Sequence, residues 1–190
     1  MFSRLSQTFR TWIWKTQAPR GPVRLFLTDI DGVLTDGGMY YTEKGDEFKK
    51  FQVQDGMGFN ILKELGIKTG FVTAESRELN LRRSQKLALD FYYPGEKDKL
   101  TRVKDLCQSL KISLKDVAYI GDDRNDLELL QEVGFRACPA NARPEIKQIS
   151  GIYQTQARGG DGAVREWIDL LIKTKRIQQR SEQKQETSGR

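Results

Sequence analysis

Three carboxylates fall within eight residues at Asp29-Ile30-Asp31-Gly32-Val33-Leu34-Thr35-Asp36, directly after an apolar run at 23–28. A second acidic cluster, Gly121-Asp122-Asp123-Arg124-Asn125-Asp126, directly follows the apolar run Val117–Ile120. Either cluster alone would be an ordinary use of aspartate in a turn or at a helix N-cap. Side by side at the ends of parallel strands they would repel and raise each other's pKa values unless a cation lay between them. The chain has no histidine, and its two cysteines, Cys107 and Cys138, stand far apart in apolar-periodic surroundings. Histidine general bases, Ser–His and Cys–His nucleophile pairs and His-containing zinc sites are therefore excluded. Hard oxygen ligands without His or Cys point to Mg²⁺. A further apolar run, 69–73, ends in the hydroxyl of Thr73.

Placing these groups together requires a particular alternation of elements. Short apolar runs at 23–28, 69–73, Val117–Ile120 and Phe135–Cys138 read as buried strands. Segments of helical period at 59–65, 76–87, Lys99–Leu110 and 125–133 lie between or after them. That rhythm predicts an α/β fold: a Rossmann-like parallel sheet with helices on both faces, whose chemistry gathers at the carboxyl ends of the strands. One stretch breaks it. Residues 39–42 and 47–53 flank Glu43-Lys44-Gly45-Asp46 and predict a β-hairpin projecting after the first strand. A last strand at 152–155 and a helix at 162–172 complete the expectation.

With 190 residues and no apolar run long enough to span a bilayer, the chain reads as one soluble domain. The net charge of +6 resides in the ends: residues 1–28 carry +5 and 173–190 carry +4, whereas 29–172 carry −3. The body thus lacks the basic stripe that nucleic acid needs, and no nucleic-acid partner is expected. Residues 1–22 form a basic, aromatic N-terminal arm, read either as loosely packed or, over 1–18, as a membrane-surface helix. The folded domain is expected over 23–172, with a polar, disordered tail at 173–190. Two buried free thiols fit a reducing cytoplasm.

These residues resemble the haloacid dehalogenase (HAD) superfamily of phosphotransferases, whose first motif is DxDGxxT and whose last is GDDxxD. Asp29, Asp31, Gly32 and Thr35 fit the first motif, Thr73 the second, Lys99 the third, and Asp122, Asp123 and Asp126 the fourth. The resemblance implies a phosphoric monoester hydrolase in which Asp29 attacks phosphorus to give an aspartyl-phosphate and Asp31 is general acid, then base. Asp29, Asp122 and the main-chain carbonyl of Asp31 would ligate Mg²⁺, with Asp123 or Asp126 behind them. Lys99 would balance phosphate charge, Lys97 being its near competitor, and Thr73 would donate to a phosphoryl oxygen.

Only 36 residues lie between Asp36 and Thr73, and 25 between Thr73 and Lys99, too few for an inserted cap domain. From about Leu25 to Leu171 the chain resembles a capless branch, the 3-deoxy-D-manno-octulosonate 8-phosphate (KDO 8-phosphate) phosphatases of lipopolysaccharide synthesis and their relatives acting on nonulosonate 9-phosphates. The signposts are GVLTDG, FQVQDGMG, VAYIGDD and GGDGAVRE. The branch implies a homotetramer joined through residues 39–53, its sites closed by a neighbour's residues 159–166, and a phosphorylated sugar acid as substrate. The implied substrate-binding residues are Gln52, Asp55, Gly56, Asn60, Glu75 and Arg83, with Arg82 beside the last. Glu75 stands where the octulosonate enzymes carry an arginine and resembles the nonulosonate branch instead; it would contact substrate or cap the helix after it. A phosphatase of broad range and an inactive scaffold subunit are the remaining alternatives.

Overall fold

The structure, a computed structural model, describes residues 14, 16, 18, 19, 21–45 and 47–177. Its centre is a six-stranded, all-parallel sheet: β1 (Leu25–Thr28), β4 (Lys68–Val72), β5 (Phe91–Tyr93), β6 (Val117–Ile120), β7 (Phe135–Cys138) and β8 (Tyr153–Gln154), in the order β5-β4-β1-β6-β7-β8. β1 and β6 are buried at every position, as strands covered on both faces must be, which is why they read as unbroken apolar runs. The hairpin consists of β2 (Tyr40–Tyr41) and β3 (Glu47–Phe48), a separate two-stranded ribbon.

Helices cover both faces. Val164, Trp167, Ile168 and Leu171 of α6 (Ala163–Lys173) and Phe59 and Leu62 of α1 (Val53–Glu64) pack on one face, against Phe26, Phe71, Ala118 and Ile120. Val103, Leu106 and Cys107 of α3 (Lys99–Leu110) and Leu129 and Leu130 of α4 (Leu127–Glu132) pack on the other, against Leu25, Leu27, Val117 and Tyr119. Successive strand residues thus serve opposite faces, the two-residue period of extended chain. Two further helices are α2 (Glu78–Lys86) and the single turn α5 (Pro144–Lys147).

The predicted strands and the helix Lys99–Leu110 fall within two residues of their places, but three readings differ. The second hairpin arm was expected to run to residue 53, yet β3 ends at Phe48 and α1 begins at Val53, six residues before the predicted helix. Gln52 accepts a hydrogen bond from the Val53 N–H and starts the helix, while Gly56 and Gly58 interrupt its apolar period. A side chain at Gly58 would meet Ile168 of α6, so the glycine serves helix–helix packing. The 125–133 segment divides into a 3₁₀ turn, Arg124–Asp126, and α4. Sequence reading also passed over β5, a three-residue, half-buried edge strand with too short a pattern to register.

The packed body extends beyond 23–172. Trp14 is buried with its ring edge-on to Trp167 at 5.1 Å, and Ile177 is buried too. The Val23 N–H donates to the Arg176 carbonyl, clasping the two ends together. Most of the arm proposed for membrane contact, and the tail from 178, lie outside the described residues. No helix among the described residues is long and apolar enough to cross a membrane.

Candidate active site

Strand register assembles the site. Thr28 of β1 aligns with Phe71 of β4 and Ile120 of β6, so the segments beginning at Asp29, Thr73 and Gly121 emerge side by side along one sheet edge. They surround an open pocket of about 430 Å³ lined by Asp29, Asp31, Thr73, Glu75, Asp122, Asp123 and their neighbours. A larger cavity of about 540 Å³ lies at the opposite end of the sheet and holds none of these groups.

Asp29 is buried at the pocket floor, where its Oδ1 meets Lys99 Nζ at 3.0 Å. Lys99, at the first position of α3, has a fully buried side chain, and its ammonium also lies 2.6 Å from Asp126 Oδ1. The competing Lys97 is exposed. Asp126 is saturated: Oδ1 also accepts from the Tyr119 hydroxyl, and Oδ2 accepts from the main-chain N–H groups of Asp122 and Asp123. Asp126 therefore orients the loop and the lysine. Asp123 is exposed and caps the 3₁₀ turn through the Arg124 N–H.

Asp29, Asp122 and Asp126 bring ligand atoms within 4.8 Å of one another. Burial, and then the neighbouring Asp29, Asp126 and Asp123 charges, push the Asp122 carboxyl up to about 8; burial pushes Asp29 up to about 7 against the pull of Lys99. Asp122 Oδ1 is buried and has no hydrogen-bond partner. An all-oxygen, acidic cluster with an orphaned carboxylate oxygen fits a hard divalent cation. Gly32 permits the arrangement: at φ +83° it takes the left-handed conformation, and a Cβ there would lie 2.1 Å from Asp122 Oδ2.

Asp31 lies at the pocket wall with Oδ1 held by Lys49 Nζ at 2.8 Å and Oδ2 buried without a partner. Burial raises its pKa despite the lysine. The Thr73 hydroxyl accepts from the Glu75 N–H at 3.3 Å, which leaves its own proton free to donate. Thr35 ties the first loop, accepting from the Gly32 and Gly37 N–H groups.

Of the six expected substrate-binding residues, only Glu75 lines this pocket. Its carboxylate lies 2.7 Å from Lys49, and α2 begins three residues later with Arg77 at its N-cap, so Glu75 does not cap that helix. Gln52 caps α1, Asn60 is exposed on it, and Gly56 makes room for Arg83, whose Nη2 donates to the Gln52 carbonyl. The guanidinium also stacks over Phe51. Asp55 is fully buried and accepts from the Arg165 N–H, tying α1 to the start of α6; burial pushes its pKa up to about 6. Arg82 pairs with Glu78 on the exposed face of α2.

Two contributors escaped the sequence reading. Lys49 looks like any polar position of a ribbon, and Asn141 sits in a loop that carried no motif. The Asn141 amide donates to the Gly32 carbonyl and accepts from the Gly159 N–H. This seats the expected closing segment against its own chain's first loop. A Cβ on Gly159 would lie 1.9 Å from the Gly32 oxygen, so backbone meets backbone there.

Residues 61–165 match the haloacid dehalogenase-like hydrolase family. The chain is 37% identical over 150 residues to the KDO 8-phosphate phosphatase KdsC of Escherichia coli strain K12, covering 79% of each protein. The structure is similar to that of the Moraxella catarrhalis KDO 8-phosphate phosphatase in complex with magnesium, phosphate and KDO: TM-score 0.78, 36% identity, 89% of this chain and 93% of that one. The cobalt-bound phosphatase of Haemophilus influenzae gives a TM-score of 0.75 at 30% identity, over 80% of this chain and 88% of that one. Acidic loops on β1 and β6, a lysine sealed beneath them and these similarities together place the chain among the haloacid dehalogenase-like hydrolases.

Proposed function

We propose that the chain is a Mg²⁺-dependent phosphatase of KDO 8-phosphate, working through an aspartyl-phosphate. The observation that carries this is the pairing at the pocket floor: a buried Asp29 carboxylate oriented by Lys99, opposite an Asp122 oxygen without a partner. The KdsC sequence and the magnesium, phosphate and KDO complex of the M. catarrhalis enzyme supply the substrate class.

Asp29, Asp122 and the Asp31 carbonyl would hold the cation, which offsets phosphate charge so that an anionic carboxylate can approach phosphorus. Asp29 forms a bond to phosphorus as the ester P–O bond breaks, and Asp31 Oδ2 gives its proton to the departing sugar oxygen. Asp31 then takes a proton from water as the water oxygen attacks phosphorus, releasing phosphate and restoring Asp29. Lys99 balances the gathered negative charge, and Thr73 donates to a phosphoryl oxygen.

Six exposed large apolar residues, Met39, Tyr40, Tyr41, Phe48, Val53 and Met57, crowd the hairpin and the start of α1. They support assembly into a homotetramer through this face. Arg83 and Gln52 then act on substrate from a neighbouring subunit or by packing, and the fully buried Asp55 acts by packing. Cys107 and Cys138 are free and buried, which suits a cytoplasmic enzyme.

One observation favours a second substrate: the pocket wall carries Glu75, an acceptor for hydroxyls, where an arginine would meet a carboxylate. Nonulosonate 9-phosphate is that alternative. Phosphate release from both esters with Mg²⁺ decides between them, with Asp29→Asn as the blank. Faster turnover of the octulosonate ester, abolished in Asp29→Asn, is the expected result. Preference for the nine-carbon ester moves the assignment to the second substrate, and release that survives in Asp29→Asn overturns the mechanism.

A further inference from the structure

Lys49, the residue after β3, has a side chain only 1% exposed, although it belongs to a projecting ribbon. Its ammonium lies 2.8 Å from Asp31 Oδ1 and 2.7 Å from Glu75 Oε2. One buried cation therefore joins three elements: the loop after β1, the hairpin and the loop after β4. The next lysine behaves differently. Lys50 is half exposed and pairs with Asp161.

Little else orients Asp31. Its other side-chain hydrogen bond, from the Thr35 hydroxyl, is 3.5 Å long and engages the same Oδ1. With Oδ1 held by Lys49, Oδ2 remains as the oxygen free to carry a proton. A carboxyl group pinned at one oxygen presents the other in one direction, and proton transfer depends steeply on that aim. Lys49 is itself shielded from the pocket, and both partners of its ammonium are carboxylates, so it is not placed to grip substrate phosphate.

We propose that Lys49 is a positioning residue for proton transfer: through Oδ1 it aims Asp31 Oδ2 at the leaving-group oxygen, and through Glu75 it ties that aim to the substrate-facing wall. The proposal rests on the reading of Asp31 as proton donor and deepens it. It also gives the hairpin a role in chemistry, because displacement of the ribbon would carry Lys49 away from Asp31. Glu75, sharing the same ammonium, faces the pocket with its charge compensated.

The test compares two leaving groups. A sugar phosphate expels an alkoxide that must be protonated, whereas p-nitrophenyl phosphate expels a phenolate that leaves unaided. The ratio kcat/KM covers events only through the first P–O cleavage, so the later duty of Asp31 as a base does not enter. In Lys49→Met and Lys49→Gln, kcat/KM for the better of the two sugar-acid phosphates is expected to fall about 10²-fold. The loss on p-nitrophenyl phosphate is expected to be far smaller, and Lys49→Arg, which keeps the charge, to recover part of the difference. Lys49→Met retains the volume of the stem, and turnover of the aryl ester reports in the same sample that the site is folded. Equal losses on both esters overturn the proposal, leaving Lys49 as a strut for the hairpin. A wild-type chain that hydrolyses neither ester overturns the phosphatase reading and this proposal with it.

Discussion

At Asp29 and Asp122 two carboxyls are held where ionisation is costly, at about 7 and about 8 instead of 3.8, chiefly because burial strips them of water. A carboxyl whose pKa is raised on folding retains protons that the unfolded chain has lost, so it stabilises the fold below pH 4 and that stabilisation disappears as pH rises through the folded value. The metal-free protein is therefore expected to melt at progressively lower temperature between about pH 4 and pH 8. Mg²⁺ should reverse this, raising the melting temperature more at pH 8 than at pH 5, because only ionised carboxylates bind it. At a hundredfold excess over its Kd the gain is about 2.7 kcal/mol. Thermal melts over that pH range with and without Mg²⁺, after chelation, check both statements; a melting temperature indifferent to Mg²⁺ at pH 8 removes the metal from this site. The two DxD-like clusters were legible as a site in the sequence because their residue types and spacing are specific. Lys49 was not, since a lysine in a polar ribbon carries no signal until the fold turns it inward. The substrate set drawn from Gln52 to Asn60 shows the converse: resemblance alone placed these residues at a substrate, with departures from the family pattern at Gln52, Gln54 and Asn60, and in this chain Asp55 and Gly56 serve helix packing.

Among the elements, the hairpin is the one that cannot stand by itself. Two strands of two residues each form a ribbon far too small to be stable alone, and its apolar side chains face outward. Its base is anchored by Lys49, by Lys50 with Asp161, and by a bridge between Thr35 and Phe51. Among the described residues, Tyr40, Tyr41 and Phe48 of its strands remain exposed. Tyr41→Asp combined with Phe48→Glu places like charges on both faces of the ribbon; with the proposed assembly running through it, the pair is expected to lower the molecular mass measured by sedimentation, with the melting temperature falling as subunits separate. An unchanged mass would remove the ribbon from the assembly. The sequence indicated the hairpin through alternation and a Gly-containing turn, but misplaced its end. Local pattern did not separate a strand continuing to residue 53 from a helix beginning there, because Gly56 and Gly58 break the helix's apolar period, and the reason for Gly58, the close approach of Ile168, lies more than a hundred residues away.

Across the whole molecule, residues far apart in the chain pack on one another beside the sheet. Trp14 packs against Trp167 and Tyr153, and Val23 hydrogen-bonds to Arg176. Trp14→Ala is expected to lower unfolding free energy by about 3 kcal/mol, as truncation of a buried tryptophan does. It should leave kcat/KM nearly unchanged, because none of Trp14, Tyr153 and Trp167 lines the pocket. Denaturant unfolding and steady-state kinetics on one preparation separate the two quantities, and a stability change within error would make the N-terminal segment dispensable. Sequence by itself determined the class of fold, the strands that bear the acidic loops and the exclusion of histidine chemistry, while the resemblance to a known family singled out Asp29, Asp31, Thr73, Lys99 and Asp122 as the proposed site. Fold class, acidic strand ends and the lack of histidine follow from residue type, short-range spacing or the period of an element, which a linear chain displays. Tertiary structure alone decided that Asp126 orients rather than faces the pocket, that Glu75 shares an ammonium with Asp31, that Asn141 braces the first loop and that Trp14 belongs to the core. Those outcomes depend on which surfaces meet across long stretches of chain, and burial and charge pairing at such contacts come into existence only when the sheet has formed.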